Sequence, residues 1–317
     1  MQNRNLGKTS LSIAPLVLGG NVFGWTIDEK TSFAVLDAFV DHGFNAIDTA
    51  DVYSAWAPGN SGGESETIIG NWLKARPGLR DKVVIFTKVG SDLGRPGQKG
   101  LSARWIVEAA EGSLRRLGIE AIDLYFSHWP DAATPYEETL RAYETLLAAG
   151  KIKAVGASNL DAAQLGEALA VAARERLPRY EILQPEYNLY DRAAFDGPLR
   201  ELCLHEGLGV VTYFSLASGF LTGKYRSPVD FGLSPRGEGM GKYLDARGLA
   251  ILGALDRVAA RHGARPAEVA LAWLMAREGV TAPIASATNV SHIESFACAT
   301  ALVLMAEDIN ELDSASV

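Results

Sequence analysis

Four side chains carry the chemistry that can be read from this sequence: Asp48, Tyr53, Lys88 and His128. Asp48 closes the apolar run Asn45-Ala46-Ile47, Lys88 closes Val83-Val84-Ile85-Phe86-Thr87, and His128 closes Leu124-Tyr125-Phe126-Ser127. Tyr53 stands five residues beyond Asp48. A tyrosine with its ordinary pKa of about 10 is a reluctant acid at neutral pH and needs a cation beside it to protonate a developing alkoxide. A lysine supplies that cation by stabilising the phenolate, and a carboxylate keeps the lysine charged and oriented. A histidine hydrogen-bonds the reacting oxygen and polarises it. Together the set suits the reduction of a carbonyl group to an alcohol. Taken singly, each has a plainer reading as a polar group satisfied at a strand end. Lys88 alone would also serve as the Schiff-base nucleophile of a non-redox barrel, if its pKa were lowered.

These residues meet only if the elements that carry them lie side by side. Eight short β-rich apolar runs recur along the chain: Leu16–Leu18, Asn45–Asp48, Val83–Lys88, Leu124–His128, Ala154–Ser158, Ile182–Gln184, Val210–Tyr213 and Ala282–Ala285. Segments of helical period separate them, the pattern of a parallel sheet covered by crossover helices. Eight parallel strands close into a (β/α)8 TIM barrel, whose active site lies at the C-terminal ends of the strands. A chain of 317 residues fits one such barrel over 1–317, and no linker, repeat or low-complexity tract divides it.

Helix boundaries are legible in places. Thr134-Pro135-Tyr136-Glu137 predicts a helix start with Thr134 as N-cap, and Asp161 to Gln164 predicts a capping box. Between Ser102 and Gly118, Ile106, Ala110, Leu114 and Leu117 recur at helical spacing, with Gly118 placed for a left-handed C-terminal residue. The stretch Ser215 to Gly279 is read as a glycine-rich mobile loop, Phe231–Gly241, followed by helices starting near Leu244 and Pro266. A last helix is expected from Asn289 or Ser291.

The words Phe44-Asn45-Ala46-Ile47-Asp48-Thr49-Ala50-Asp51-Val52-Tyr53, then Thr87-Lys88, then Asp123-Leu124-Tyr125-Phe126-Ser127-His128-Trp129-Pro130 resemble the signatures of the aldo-keto reductase family. The resemblance runs from Leu6-Gly7 to the eighth apolar run and points to the branch that includes potassium-channel beta subunits. It implies that Tyr53 is the general acid, that Lys88 and Asp48 tune it, and that His128 orients a small-molecule carbonyl substrate. It also implies a nicotinamide cofactor, NADPH with NADH as the alternative. Gly156-Ala157-Ser158-Asn159 and Gln184 match residues that hydrogen-bond the carboxamide, and Tyr213 matches the aromatic stacked on the nicotinamide. Phe214, Ser215-Leu216 and Leu221-Thr222-Gly223-Lys224-Tyr225 resemble the segment folded over the pyrophosphate, where Lys224 supplies charge. Without the resemblance, Gln184 reads as a barrel-interior hydrogen bond, Tyr213 as a core aromatic and Lys224 as a solvated loop lysine.

The chain departs from the family's pattern in three places. It reads Tyr213-Phe214-Ser215-Leu216 where Tyr-Ser-Pro-Leu is common, so the proline constraint is gone. After the eighth run, where a Lys or Arg commonly meets the adenosine 2′-phosphate, it offers Ser286, Thr288 and His292. A phosphate monoester favours bidentate arginine, so NADPH requires a cation from elsewhere or the free amides of the last helix. Beyond Tyr53 the connection to Glu66 is long and carries Trp56, which with Trp25 and Trp129 is read either as substrate wall or as rim packing. The family's channel-associated members leave a second functional reading, a nicotinamide-sensing subunit with little turnover.

Composition bounds the rest. Thirty Lys and Arg against 38 Asp and Glu give a net charge of -8, which argues against nucleic acid or anionic lipid as partner. Cys203 and Cys298 have no metal-ligand spacing, so neither a metal nor a disulfide is expected and both are read as buried thiols. No apolar run reaches the roughly 18 residues of a membrane span, and the N-terminus lacks a secretory signal, so a cytoplasmic location is expected. Oligomeric state leaves no mark in the sequence.

Overall fold

The computed structural model describes all 317 residues. The chain opens with an antiparallel hairpin, β1 (Arg4–Asn5) and β2 (Ser12–Ile13). Eight parallel strands follow: β3 (Val17–Gly19), β4 (Ala46–Asp48), β5 (Val84–Val89), β6 (Leu124–Ser127), β7 (Val155–Ser158), β8 (Ile182–Gln184), β9 (Gly209–Thr212) and β10 (Ala282–Ala285). They pair in sequence order, and β10 closes the barrel between β9 and β3. This is the expected (β/α)8 TIM barrel.

Side chains alternate across a strand, so every second residue points into the barrel. Val17, Ala46, Phe86, Leu124, Phe126, Ala154, Ile182, Val211, Ala282 and Ile284 fill the interior, and Leu6, Leu11 and Ile13 of the hairpin join them at the bottom. Arg4 pins that hairpin by donating to the carbonyls of Met275 and Thr281 at 3.1 Å each. Gly156 makes room for the interior Phe126, whose ring would lie 2.4 Å from a Cβ there. Two residues past an interior residue the same face reaches the C-terminal rim. Counting so from Ala46, Phe86, Phe126, Ile182, Val211 and Ile284 gives Asp48, Lys88, His128, Gln184, Tyr213 and Ser286.

The outer layer holds ten α-helices: α1 (Glu29–Asp41), α2 (Glu64–Ala75), α3 (Ala103–Leu117), α4 (Tyr136–Ala148), α5 (Ala162–Glu175), α6 (Pro198–Glu206), α7 (Ala246–His262), α8 (Pro266–Ala276), α9 (Val290–Ala301) and α10 (Ala306–Ala315). In α3, Ile106, Ala110, Leu114 and Leu117 are buried, and Gly118 takes φ +64° at the C-cap. Asp161 and Gln164 form their capping box reciprocally, at 2.8 and 3.1 Å.

Several expectations need correction. Pro135, not Thr134, is the N-cap of α4, because the Thr134 hydroxyl is spent on Asp131 at 2.7 Å. His128 and Tyr213 each lie one residue beyond their strands. Phe231–Gly241 is not a free loop. It winds into the short 3₁₀ turns Pro228–Leu233 and Gly237–Tyr243, buries Met240 and Tyr243, and ties Ser234 to the Tyr225 hydroxyl at 2.6 Å. The helix expected near Leu244 starts at Ala246, capped by Asp245. Cys203 is buried, but Cys298 is exposed on α9. No single helix is long and apolar enough to cross a membrane.

Candidate active site

At the C-terminal rim Lys88 is fully buried and its ammonium is saturated. It donates to Asp48 Oδ2 at 2.7 Å, to the Thr49 carbonyl at 2.8 Å and to Tyr53 Oη at 2.9 Å. Tyr53 Oη lies 3.2 Å from the same Asp48 oxygen, and Gln184 Nε2 donates to the other at 3.0 Å. Burial, then the Asp48 carboxylate, pushes the Tyr53 phenol well above its ordinary value. This reverses the direction expected from Lys88. Taking a phenolate out of water and beside the Asp48 carboxylate is unfavourable, so the proton stays on Tyr53 until an acceptor arrives. Burial lowers Lys88, and Asp48 opposes that shift.

Tyr53 reaches this position through a local conformation. Ser54 adopts φ +71°, held by its hydroxyl donating to the Phe23 carbonyl at 2.7 Å. Asn60 Nδ2 ties the long connection to the carbonyls of Gly24 and Ser54 at 2.9 and 3.0 Å. A left-handed non-glycine residue costs on the order of 1–3 kcal/mol and persists where surrounding contacts over-determine it.

His128 follows β6, with its backbone N–H donating to the Val89 carbonyl at 2.8 Å. Its Nδ1 lies 3.0 Å from Ser91 Oγ, which also accepts the Trp129 indole N–H at 3.2 Å, and the Trp129 ring stacks on the imidazole. Burial, then the charge of Lys88, holds the imidazole well below its ordinary value and therefore neutral. Trp56 and Trp129 are about half exposed and line the cavity on the side of Tyr53 and His128. Trp25 does not line it; it packs edge-on behind Trp56, with ring centroids 5.5 Å apart.

The cavity above these groups has a volume of about 1070 Å³. Ser158, Asn159, Gln184, Tyr213, Phe214, Ser215, Leu216, Lys224, Ser286, Thr288 and His292 all line it. Much of their hydrogen-bonding capacity is already used. Asn159, at φ +61°, donates to the His128 carbonyl at 2.8 Å and accepts from Tyr213 Oη at 2.7 Å. Ser158 Oγ donates to the Gln184 carbonyl at 2.7 Å, Ser215 Oγ to the Thr212 carbonyl at 3.1 Å and Ser286 Oγ to Asn21 Oδ1 at 2.6 Å. These bonds orient the groups that remain free, among them the side-chain Oε1 of Gln184 and the Tyr213 ring face.

The chain belongs to the aldo/keto reductase family. The family model, Aldo/keto reductase family, matches residues 15–317. An uncharacterised 11.2 kDa protein from the crtE 3′ region of Pseudescherichia vulneris is 69% identical over 93 residues, covering 29% of this chain and 90% of that protein. A probable voltage-gated potassium channel subunit beta of Arabidopsis thaliana is 35% identical over 300 residues, 93% of this chain and 89% of the relative. The uncharacterised oxidoreductase YrpG of Bacillus subtilis strain 168 is 34% identical over 299 residues, 92% and 89% respectively. This aldo/keto reductase is therefore an oxidoreductase of small-molecule carbonyl compounds that uses a nicotinamide cofactor, NAD(P)H.

Three lining groups escaped the sequence reading. Arg265, at the N-cap of α8, faces the same end of the cavity as Lys224 and His292, and burial followed by those two cations lowers the pKa of His292. Arg236 lines the cavity from the 3₁₀ segment and stacks on Trp25, 5.2 Å to the centroid. Its Nη2 is buried without a hydrogen-bond partner. Ser91 is the third. None carries a signal in the linear sequence, because a lone Arg or Ser in a connection reads as solvated polarity until the barrel closes around it.

Proposed function

We propose that this aldo/keto reductase reduces an aldehyde or ketone with NADPH, and that Tyr53 is the proton donor. The observation that carries the reading is the buried set in which Lys88 Nζ bridges Asp48 and Tyr53 at 2.7 and 2.9 Å. The bound nicotinamide supplies the hydride to the carbonyl carbon. As the oxygen gains electron density, Tyr53 Oη releases its proton to it, and Lys88 stabilises the phenolate left behind. Asp48 keeps Lys88 charged, and Gln184 keeps Asp48 in place. His128, neutral, donates a hydrogen bond to the same oxygen. Alcohol oxidation runs through the same groups in reverse. Proton donation by a positioned acid contributes about 10²–10⁴-fold to rate.

The cavity fits the cofactor. Tyr213 offers a ring face, Asn159 and Gln184 offer oriented amides, and Lys224, Arg236 and Arg265 stand along the wall. Arg265 is partly engaged with Glu268 at 2.6 Å, whereas Lys224 and Arg236 enter no ion pair. The cation missing from the sequence after β10 comes from α8, and the N-terminus of α9, capped by Asn289, adds oriented amides beside it. This placement supports NADPH over NADH.

The test is Tyr53→Phe. Reduction of a panel of aldehydes and ketones should fall by at least about 10²-fold, while NADPH binding followed by fluorescence stays within about twofold of the wild type. Turnover like the wild type in that variant would refute Tyr53 as the donor. Similarity to proteins named as channel subunits favours a cofactor-sensing reading, which single-turnover oxidation of bound NADPH decides. No oxidation by any carbonyl in the panel would favour sensing.

A further inference from the structure

We propose that Ser91 and Trp129 are positioning residues that fix the tautomer of His128, placing the ring proton on Nε2, the nitrogen free to donate into the cavity. The inference rests on the reading of His128 as the group that meets the carbonyl oxygen. Imidazole has two neutral tautomers, and only the one protonated on Nε2 can donate there. Which is present follows from what the other nitrogen meets.

Ser91 lies on the connection after β5, is 8% exposed, and its hydroxyl has two neighbours: His128 Nδ1 at 3.0 Å and Trp129 Nε1 at 3.2 Å. An indole N–H is a donor only, so it must point at Ser91 Oγ and occupy a lone pair. Among the protein's own groups, the Ser91 hydroxyl proton then has one acceptor within reach, Nδ1 of His128. If Nδ1 carried the proton instead, two donors would converge on Ser91 Oγ and its own O–H would be left without an acceptor. Stranding a buried donor is disfavoured by roughly 10- to 100-fold. The chain Trp129 N–H to Ser91 O–H to His128 Nδ1 therefore runs in one direction. A charged imidazole, which would donate from both nitrogens, is opposed by burial and by Lys88.

The ring is also held bodily. Trp129 stacks on it at 5.7 Å with 15° between planes, and Asn159 Nδ2 donates to the His128 carbonyl at 2.8 Å. Trp129 thus does two things: its ring sets the plane of the imidazole, and its N–H sets the direction of the Ser91 hydroxyl.

The experiment is ¹⁵N NMR of the histidine-labelled resting protein, read beside steady-state kinetics of Ser91→Ala, Ser91→Thr and Trp129→Phe. The wild type should show a protonated Nε2 and an unprotonated Nδ1 for His128, assigned by its loss in His128→Asn. Ser91→Ala should show both tautomers and lose about 10-fold or more in kcat, with the cofactor Kd within about twofold. Ser91→Thr, which keeps the hydroxyl, should restore both. Trp129→Phe keeps the stacked ring but not the N–H, and should lose less than Ser91→Ala. A wild-type ring protonated on Nδ1, or a Ser91→Ala ring that keeps the wild-type tautomer, overturns the proposal. Full turnover in His128→Asn would instead refute the role of His128 in the reaction, a separate outcome, because the resting spectrum decides the tautomer without turnover.

Discussion

Replacing Lys88 by Met separates the ion pair at the centre of the site into its parts. Lys88 is fully buried, and Asp48 is 2% exposed. Without the ammonium, Asp48 keeps the Gln184 amide at 3.0 Å and the Tyr53 hydroxyl at 3.2 Å, and the Thr49 carbonyl loses its 2.8 Å donor. Breaking a buried pair so that one charge is stranded costs about 3–5 kcal/mol. With about 2–4 °C per kcal/mol for a large domain, Tm should fall by roughly 10 °C. The pair Asp48→Asn/Lys88→Met carries no stranded charge, so its destabilisation should be smaller than the sum of the single changes by at least about 2 kcal/mol. Turnover should stay low in Lys88→Met and in the double variant, because neither retains the cation beside Tyr53. Thermal melts and urea titrations of the four proteins close the cycle. Strict additivity, or a Lys88→Met protein melting within about 2 °C of the wild type, would refute the ion-pair reasoning.

Two other predictions concern groups that sequence reading left unassigned. Both carboxylate oxygens of Asp51 are buried without a hydrogen-bond partner, and burial, then the charge of Glu66, pushes this acid well above its ordinary value. The folded state therefore holds a proton that the unfolded chain releases above about pH 4, and stability falls as pH rises from there through the folded-state value. Asp51→Asn should melt higher than the wild type, with a wider gap at pH 8 than at pH 5; a gap that narrows with pH would refute the assignment. Arg265→Met should weaken NADPH by roughly 10- to 100-fold, as for a lost charged hydrogen bond, and leave NADH nearly unchanged in a binding titration. Equal loss for both cofactors would place Arg265 away from the 2′-phosphate.

Sequence alone determined the barrel, because the alternation of apolar runs with helical periods is local and each run is short enough to be read independently. It also located Asp48, Lys88 and His128, since a polar residue ending an apolar run has one place to be in a closed parallel barrel, the C-terminal rim. Gly118 and the Asp161–Gln164 box were legible for the same reason: their partners lie within four residues. What lay outside its reach depends on contacts between distant segments. The Ser91 hydroxyl meets His128 and Trp129 37 and 38 residues away, and Gln184 meets Asp48 across 136. Arg265 and Lys224 converge on His292 only because α8, α9 and the segment that runs from the 3₁₀ turn Ala217–Thr222 into Lys224 pack over one mouth of the barrel. The direction of the Tyr53 shift was also a tertiary decision. Residue types predict a cation lowering a phenol, but burial is a property of the closed site, and there burial and the Asp48 carboxylate raise it.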